Sequence, residues 1–347
     1  MKRWLGLPGL MALALAIPAA AQVPSGDPVA VTRQGKVAGT VSDGIEAYLG
    51  IPYAASPTGD RRWRAPVPAP AWIGTRPAKQ YGNDCAQAPF PPDSAPVRTT
   101  PLEDCLFVNV WKPAEVKPGV KLPVMVWIHG GGFVNGGSSP AVYSGASFAR
   151  DGIVFVSLNY RLGRFGFFAH PGLAQEGSGG NFGFLDQIAA LQWVRNNIAA
   201  FGGDPRQVTV FGESAGGVSV HMLLQSPLAR GLFQGAIIES GGGRDTSLPT
   251  RTMADATKAG ETFAPGLMAA QLRALPAEAV IGNLSIFTIV QPGFAGPVID
   301  GRTLLGPPLD RIAVGGYPDV PVIVGANSAD GLPFAVAKDK ILSLIHI

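Results

Sequence analysis

Five consecutive residues, Gly212-Glu213-Ser214-Ala215-Gly216, carry the sharpest chemical signal in this chain. A serine hydroxyl serves as a nucleophile when the backbone lifts it clear of its neighbours and a base takes its proton. The flanks suit that use. Val208-Thr209-Val210-Phe211 reads as a buried strand leading in, and Gly217 to Leu224 reads as a helix leading out. This strand–turn–helix order is the setting in which a G-x-S-x-G sequence forms a sharp elbow with the serine at its tip. Glycines beside the serine leave room for neighbouring backbone. The helix N-terminus behind it favours negative charge that develops there. The bland alternative is a glycine-rich turn whose serine caps the helix.

A second signal is His129-Gly130-Gly131-Gly132-Phe133, directly after the apolar run Pro123 to Ile128. Glycines at a strand end expose backbone N–H groups. In hydrolases with such a motif these groups bind the oxyanion of a tetrahedral intermediate, and the N–H after the nucleophile, here that of Ala215, adds a donor. Phosphate binding is the competing use of a glycine run. No Gly-Lys-Ser/Thr follows, and the spacing fits neither nucleotide fingerprint, so no cofactor is expected. His129 sits at a strand end before the glycines and reads as structural, not as a base.

The elements that must hold these residues are legible as short apolar runs. Phe107 to Trp111, Pro123 to Ile128, Ile153 to Leu158, Val208 to Phe211, Ala236 to Ile238 and Pro321 to Val324 have the length and Val/Ile content of buried strands. Between them, Leu185, Ile188, Leu191, Val194, Ile198 and Phe201 recur at spacings of three and four, the apolar face of a helix that ends near Gly202-Gly203. Strands alternating with helices predict a mostly parallel central sheet with helices on both faces. Residues 28 to 53 hold β-like runs broken by Gly35, Gly39 and Gly44, which predicts a small N-terminal antiparallel sheet. Residues 54 to 104 read as a long loop region. Residues 241 to 320 read as loops and short helices, with Met253 to Phe263 and Ala269 to Ala274 the best helical stretches. No internal repeat or domain boundary is visible.

Composition bounds the rest. Of 347 residues 46% are apolar and only 15% charged, enough for a packed core and too little charge for a disordered chain. The net charge is +3, and no basic run extends beyond Arg61, Arg62 and Arg64, which argues against nucleic acid as a partner. Lys2 and Arg3, the apolar stretch Leu5 to Ala16, and Ala19 to Ala21 compose a secretory signal peptide, residues 1–21, cut before Gln22. An uncleaved anchor is the alternative, but the apolar run is short for a bilayer. No later segment reaches spanning length, so the expectation is an exported protein, periplasmic or secreted, without a membrane span. In an oxidising compartment the two cysteines, Cys85 and Cys105, pair by default, two buried free thiols being the alternative. Such a loop closure contributes roughly 3 kcal/mol on the chain-entropy account. The four histidines and two cysteines show no metal-ligand spacing, so no metal is expected. Oligomeric state is not written in the sequence.

Taken in order, several blocks resemble the type B carboxylesterase family, which includes the cholinesterases. They are Gly50 to Ala54, Glu103 to Trp111, His129 to Phe133, Asn159 to Gly163, Asn181 to Gln187, Phe201 to Pro205 and the Ser214 elbow, within a likeness spanning roughly residues 28 to 331. The resemblance implies an α/β-hydrolase fold, a small-molecule ester substrate hydrolysed through an acyl-serine, and a Cys85–Cys105 disulfide. It puts the oxyanion donors on Gly131, Gly132 and Ala215 and the nucleophile on Ser214. The family's acid follows a later strand just before a glycine; here Asp330 stands there, where Glu is usual, with an arm one methylene shorter. An Asp-Gly turn is the plain alternative for Asp330. Glu213 is expected to line the pocket, and Arg161 with Asp186 and Arg62 with Glu103 to form buried ion pairs. The pocket is expected to be lined by residues 241 to 320 and by the missing C-terminal region. Phe133, Phe287 and Phe294 are candidates for its walls, although packing is the commoner use of each. A non-catalytic, cholinesterase-like binding protein is the alternative function; such proteins tend to lose the nucleophile, which this chain keeps.

The mechanism also needs an imidazole, and in this fold the order is serine, acid, histidine. After Asp330 the only histidine is His346, and the resemblance puts the family's histidine much later. The closing residues Leu342 to Ile347 match the translation of a transposon-adaptor end used in sequencing libraries. The expectation is therefore an incomplete hydrolase domain over residues 22–341, its final strands missing, with an artefactual tail at 342–347. Such a fragment is expected to be inactive toward esters and poorly soluble.

Overall fold

A computed structural model of the chain describes residues 26–177, 179–241, 251–328 and 330. The predicted signal segment 1–21, the tail 342–347 and His346 lie outside the described residues. The first strands are β1 (Val29–Val31), β2 (Lys36–Ala38), β3 (Thr40–Ser42), β4 (Ile45–Pro52), β5 (Thr75–Pro77) and β6 (Phe107–Pro113). An alternating stretch follows: β7 (Leu122–Ile128), α1 (Ala146–Arg150), β8 (Val154–Leu158), α2 (Gly163–Gly166), α3 (Phe182–Asn197), β9 (Gly203–Glu213), α4 (Ala215–Gln225) and β10 (Gly235–Glu239). The remainder holds β11 (Arg251–Thr252), α5 (Met253–Phe263), α6 (Ala269–Arg273), α7 (Ala277–Ile281), β12 (Val298–Ile299), α8 (Pro308–Ala313) and β13 (Val322–Gly325).

The large sheet runs in the order β13-β10-β9-β7-β8-β6-β4-β3. From β13 to β8 every pairing is parallel, and β6, β4 and β3 complete the sheet by antiparallel pairings. This is the mostly parallel, mixed sheet of an α/β-hydrolase fold. The N-terminal region divides between two sheets. β1 and β2 pair antiparallel as expected, and β5 joins β2 in parallel. β3 and β4 belong to the large sheet instead, because β4 carries core side chains, Tyr48 and Ile51, that only a buried strand can house. β13 differs from its expected burial. Its side chains Val322, Ile323 and Val324 are exposed, and among the described residues it is an edge strand of the sheet.

Helix α3 buries Ile188, Leu191 and Val194, and a 3-10 turn continues through Ile198 and Phe201 to Gly202, whose φ of 81° ends it. It starts at Phe182, a turn before the apolar repeat, and also buries Asp186 and Gln187. Apolar spacing could not reveal that second buried face. Asp186 takes the Arg161 guanidinium through Nε at 2.7 Å and Nη2 at 2.8 Å. The second expected pair is present too: Arg62 Nε donates to Glu103 at 2.8 Å, and Arg62 Nη1 donates to the carbonyls of Arg273 and Leu275. Both cysteines are joined in the Cys85–Cys105 disulfide. Among the described residues no helix is long and apolar enough to cross a membrane.

Removing one member of a buried pair leaves the other charge without compensation, a cost of about 3–5 kcal/mol. Asp186→Ala in the full-length protein is therefore expected to lower unfolding free energy by about that amount, read from urea denaturation. A loss below about 1 kcal/mol, the range of exposed pairs, would mean the pair is not desolvated as its burial implies.

Candidate active site

Parallel register brings the site together. Ile128 of β7 pairs with Gly212 of β9, Gly212 with Ile238 of β10, and Ile238 with Val324 of β13. The four strands thus end side by side. The residues that follow them, His129 to Gly132, Ser214, Ser240, Asn327 and Asp330, all emerge at the carboxyl edge of the sheet, where open α/β sheets bind ligands.

Ser214 stands between β9 and α4 with φ 54° and ψ −121°, a conformation that costs an L-residue with a Cβ of order 1–3 kcal/mol. Two backbone bonds hold it there: its N–H donates to Glu239 O at 2.9 Å, and its carbonyl accepts from Val218 N at 2.9 Å. The side chain makes no capping hydrogen bond to α4, which removes the reading of Ser214 as a plain helix cap. Space explains the flanking glycines. A Cβ on Gly216 would lie 2.1 Å from the carbonyl oxygen of Ile128, and one on Gly212 would lie 2.7 Å from the same oxygen. Both contacts are with fixed backbone, so the elbow can turn this tightly only with glycine at both positions. Ala215 opens α4, and its N–H is among those a helix leaves without an intrahelical acceptor.

The glycine loop lies against this elbow. A Cβ on Gly130 would be 3.2 Å from Ser214 Cβ. Gly131 has φ 98°, and a Cβ there would meet Asn135 O at 2.2 Å. The Gly131 carbonyl is turned back into the loop, accepting from Val134 N at 3.1 Å and Asn135 N at 2.9 Å. Among the described residues neither the Gly131 nor the Gly132 N–H donates to a protein acceptor. Buried amides fasten the loop to the sheet. Asn159 Oδ1 accepts from Ser138 N at 2.8 Å, and Asn109 Nδ2 donates to Ser138 Oγ at 3.0 Å. The disulfide-bearing segment holds it from the other side: Gln87 donates to Gly136 O at 2.6 Å and accepts from Gly136 N at 2.9 Å.

On the far side of Ser214, Asp330 Oδ2 accepts from Ser240 Oγ and from Asn327 N at 2.7 Å, and Oδ1 accepts from Asn327 Nδ2 at 3.2 Å. The Ser240 hydroxyl is the largest of the effects that hold the Asp330 carboxyl below its ordinary range, so it is ionised at neutral pH. Ser240 itself has a left-handed φ of 47°, and its N–H donates to Gly325 O at 2.7 Å, tying the end of β10 to the end of β13. Sequence reasoning did not single out Ser240. The signal was present, a Glu-Ser-Gly directly after a buried strand, but only the β10–β13 register shows that it meets Asp330. Glu213 keeps contact with solvent, yet the surrounding wall desolvates its carboxyl enough to raise its pKa, and the charges of Asp330 and Glu239 add to the shift.

The histidines are engaged elsewhere. His129 is buried, stacks on Tyr160 at 4.5 Å and lies with Nδ1 2.9 Å from Gly130 O; burial lowers its pKa to about 4, so the ring is neutral. His170 contacts Ala264 O, and His221 contacts the Tyr317 hydroxyl. None of the three hydrogen-bonds Ser214 or Asp330 among the described residues. Of the suggested wall residues, Phe133 and Phe294 are buried in the core. Phe287 is 64% exposed and packs on Phe90. Among the described residues, Ile286 and Ile289, which the sequence did not mark, approach the glycine loop at Gly132.

A family model described as the carboxylesterase family matches residues 26–344. The chain is 41% identical over 334 residues to a fumonisin B1 esterase of Sphingopyxis macrogoltabida, an alignment covering 92% of this chain and 59% of that protein. It is 42% identical over 319 residues to a para-nitrobenzyl esterase of Bacillus subtilis (strain 168), covering 88% of this chain and 63% of the relative. It therefore spans about three-fifths of the length of these relatives. A solved PNB esterase structure superposes with a TM-score of 0.80 at 39% identity, over 89% of this chain and 65% of that one.

Proposed function

The chain belongs to the carboxylesterase family, and from that premise we propose that the full-length protein hydrolyses small carboxylic esters through an acyl-enzyme on Ser214. The Ser214 oxygen attacks the ester carbonyl carbon while an imidazole, supplied from outside the described residues, takes its proton. The carbonyl oxygen gains negative charge and accepts hydrogen bonds from the N–H groups of Gly131, Gly132 and Ala215. The same proton passes to the leaving alkoxide, which departs as the alcohol. Water then repeats the attack on the acyl-serine, releasing the carboxylic acid and restoring Ser214. Asp330 orients the imidazole and stabilises its cation, and Ser240 holds Asp330. A signal segment at residues 1–21 and the Cys85–Cys105 disulfide support export of the mature protein.

One observation carries this reading. Ser214 is held in a left-handed conformation with its hydroxyl released from the helix it precedes and the Gly130 backbone against its Cβ. A fluorophosphonate probe is expected to label the full-length protein with one adduct per chain, mapped by peptide mass spectrometry to Ser214. An adduct on another residue, or none in protein shown to be folded by circular dichroism, would defeat the proposal.

A further inference from the structure

Asp84 is a fully buried acid one residue before the disulfide. Both of its carboxyl oxygens act as acceptors. Oδ2 accepts from Thr99 Oγ1 at 2.6 Å and from Ser139 Oγ at 2.5 Å, and Oδ1 accepts from Ser139 N at 3.3 Å. The rest of the network fixes these directions. Ser139 Oγ itself accepts from Arg98 N at 2.7 Å, and Thr99 Oγ1 accepts from Asp84 N at 2.7 Å. Each hydroxyl proton is thus left to point at Asp84. Burying a carboxyl is costly unless donors meet it; here three do, and two of them belong to Ser139. A Cβ on Gly137 would lie 2.1 Å from Asp84 Oδ1, so the chain from Gly136 to Ser139 is moulded directly on this carboxyl.

Ser139 closes the loop that begins at the proposed oxyanion glycines, and peptide planarity links the two ends. The C=O and N–H of one trans peptide point in opposite directions, so whatever fixes a carbonyl also aims the next N–H. The Gly131 carbonyl is fixed by Val134 N and Asn135 N, which aims the Gly132 N–H. The Gly130 carbonyl is backed by Gly136, where a Cβ would lie 2.7 Å from it, and this contact bounds the peptide that carries the Gly131 N–H. Residues 135 and 136 therefore decide where both donors point. Gln87 grips Gly136, and Asn135 Nδ2 donates to Ala88 O at 3.0 Å while its Oδ1 accepts from Ile286 N at 3.1 Å. Asp84 is the end stop of this clamp. Without its carboxyl the 136–139 limb has space to slide, and the two N–H groups move with it.

We infer that Asp84 is a positioning residue for ester hydrolysis: through Ser139 and Gly137 it holds the outgoing limb of the glycine loop, and so sets the aim of the Gly131 and Gly132 N–H groups at the oxyanion; the inference rests on the acyl-serine reading above. Asp84 touches no reacting atom. Its effect falls on the transition state, because a ground-state carbonyl needs those donors far less than an oxyanion does. The disulfide gives the clamp its footing. Cys85 stands between Asp84 and Gln87, and Cys105 leads into β6 within the large sheet.

The test uses the full-length protein and two readouts: kcat for p-nitrophenyl acetate per fluorophosphonate-titrated site, and Ki for an alkyl trifluoromethyl ketone. Ser214 adds to that ketone's carbonyl carbon, its proton passes to the imidazole, and the hemiketal oxyanion occupies the donors, so Ki reports the hole without turnover. A displacement of about 1 Å costs about 10²-fold in rate. Asp84→Ala is expected to lower kcat about 10²-fold and to raise Ki by a similar factor, with KM within about threefold of wild type because only transition-state binding is lost. Gly137→Ala, which drives a methyl into the carboxyl, is expected to act the same way, and the Asp84→Ala/Gly137→Ala pair to be no worse than either change alone. Asp84→Asn keeps an oxygen for the two hydroxyls and is expected to recover kcat to within about tenfold of wild type, the worth of the one bond it loses. Loss of stability alone would lower the titrated fraction and leave kcat per site and Ki unchanged. Both readouts within about threefold of wild type in Asp84→Ala and Gly137→Ala, or a fall in kcat without a rise in Ki, would overturn the inference while Ser214-dependent turnover persists. Should Asp84→Ala yield no folded protein, Ser139→Ala, which removes one donor and keeps the carboxyl, takes its place with an expected effect of about tenfold on both readouts, and no effect there would overturn the inference equally. Absence of Ser214-dependent turnover in the wild type would remove the acyl-serine reading, and this inference with it.

Discussion

Ser214→Ala in the full-length protein is expected to lower kcat for p-nitrophenyl acetate by roughly 10⁴- to 10⁶-fold, the cost of deleting a serine nucleophile whose partners remain. The same change should leave thermal unfolding close to wild type. Alanine occupies φ 54° no more comfortably than serine does, so the backbone cost is present in both proteins. The serine side chain makes no cap bond to lose, whereas removing a true N-cap costs about 1 kcal/mol. The two measurements separate the readings. A nucleophile loses its rate and keeps its stability; a capping serine loses stability and keeps its rate. Turnover within tenfold of wild type, measured on enzyme freed of contaminating esterases, would end the case for Ser214.

The particulars that were legible in the sequence share a cause. Val208 to Phe211 and Pro123 to Ile128 announce strands because burial on both faces demands apolar residues in succession, and the structure finds them in β9 and β7. Gly212 and Gly216 announce a close approach because only glycine tolerates Ile128 O at their Cβ positions. Met253 opens α5 where it was expected, behind a Thr252–Asp255 capping box. What escaped the sequence is long-range. Ser240 and Asp330 are ninety positions apart and meet only because β10 pairs with β13. Asn135 and Ile286 are further apart still, and nothing in the sequence around either marks the other as its partner. The division of β1 to β4 between two sheets follows from pairing partners, which short alternating runs do not specify. Aromatic residues misdirected the search for pocket walls. Phe133 stands beside the oxyanion glycines in sequence, yet its ring turns into the core against Phe167 and Phe184.

The decisive measurement on the acid half of the site is Asp330→Asn, for which kcat is expected to fall about 10³- to 10⁴-fold, since an amide cannot stabilise an imidazolium and favours the wrong tautomer. Asn keeps an oxygen for the Asn327 N–H and the Ser240 hydroxyl, so the local turn should survive the change. That is what separates the two readings of Asp330. A residue needed only to close its turn would tolerate Asn with kcat within tenfold of wild type, and that result would leave the acid unassigned. The pH dependence follows from the direction of its shift. Hydrogen bonds, that of Ser240 first, hold the Asp330 carboxyl below its unfolded value. Its contribution to stability is thus complete above the ordinary aspartate range near pH 4, and it is lost as pH falls through the lower folded value. The wild-type acid limb of kcat near neutrality must then report the imidazole and not Asp330. Ser240→Ala removes the leading cause of the shift and should move the Asp330 titration upward, toward that limb. The carboxylate would also be freer to leave the line of the imidazole, so activity should fall by about tenfold, the worth of one hydrogen bond to a charged group. Unchanged kcat and an unchanged acid limb in Ser240→Ala would mean that Asn327 alone fixes the acid.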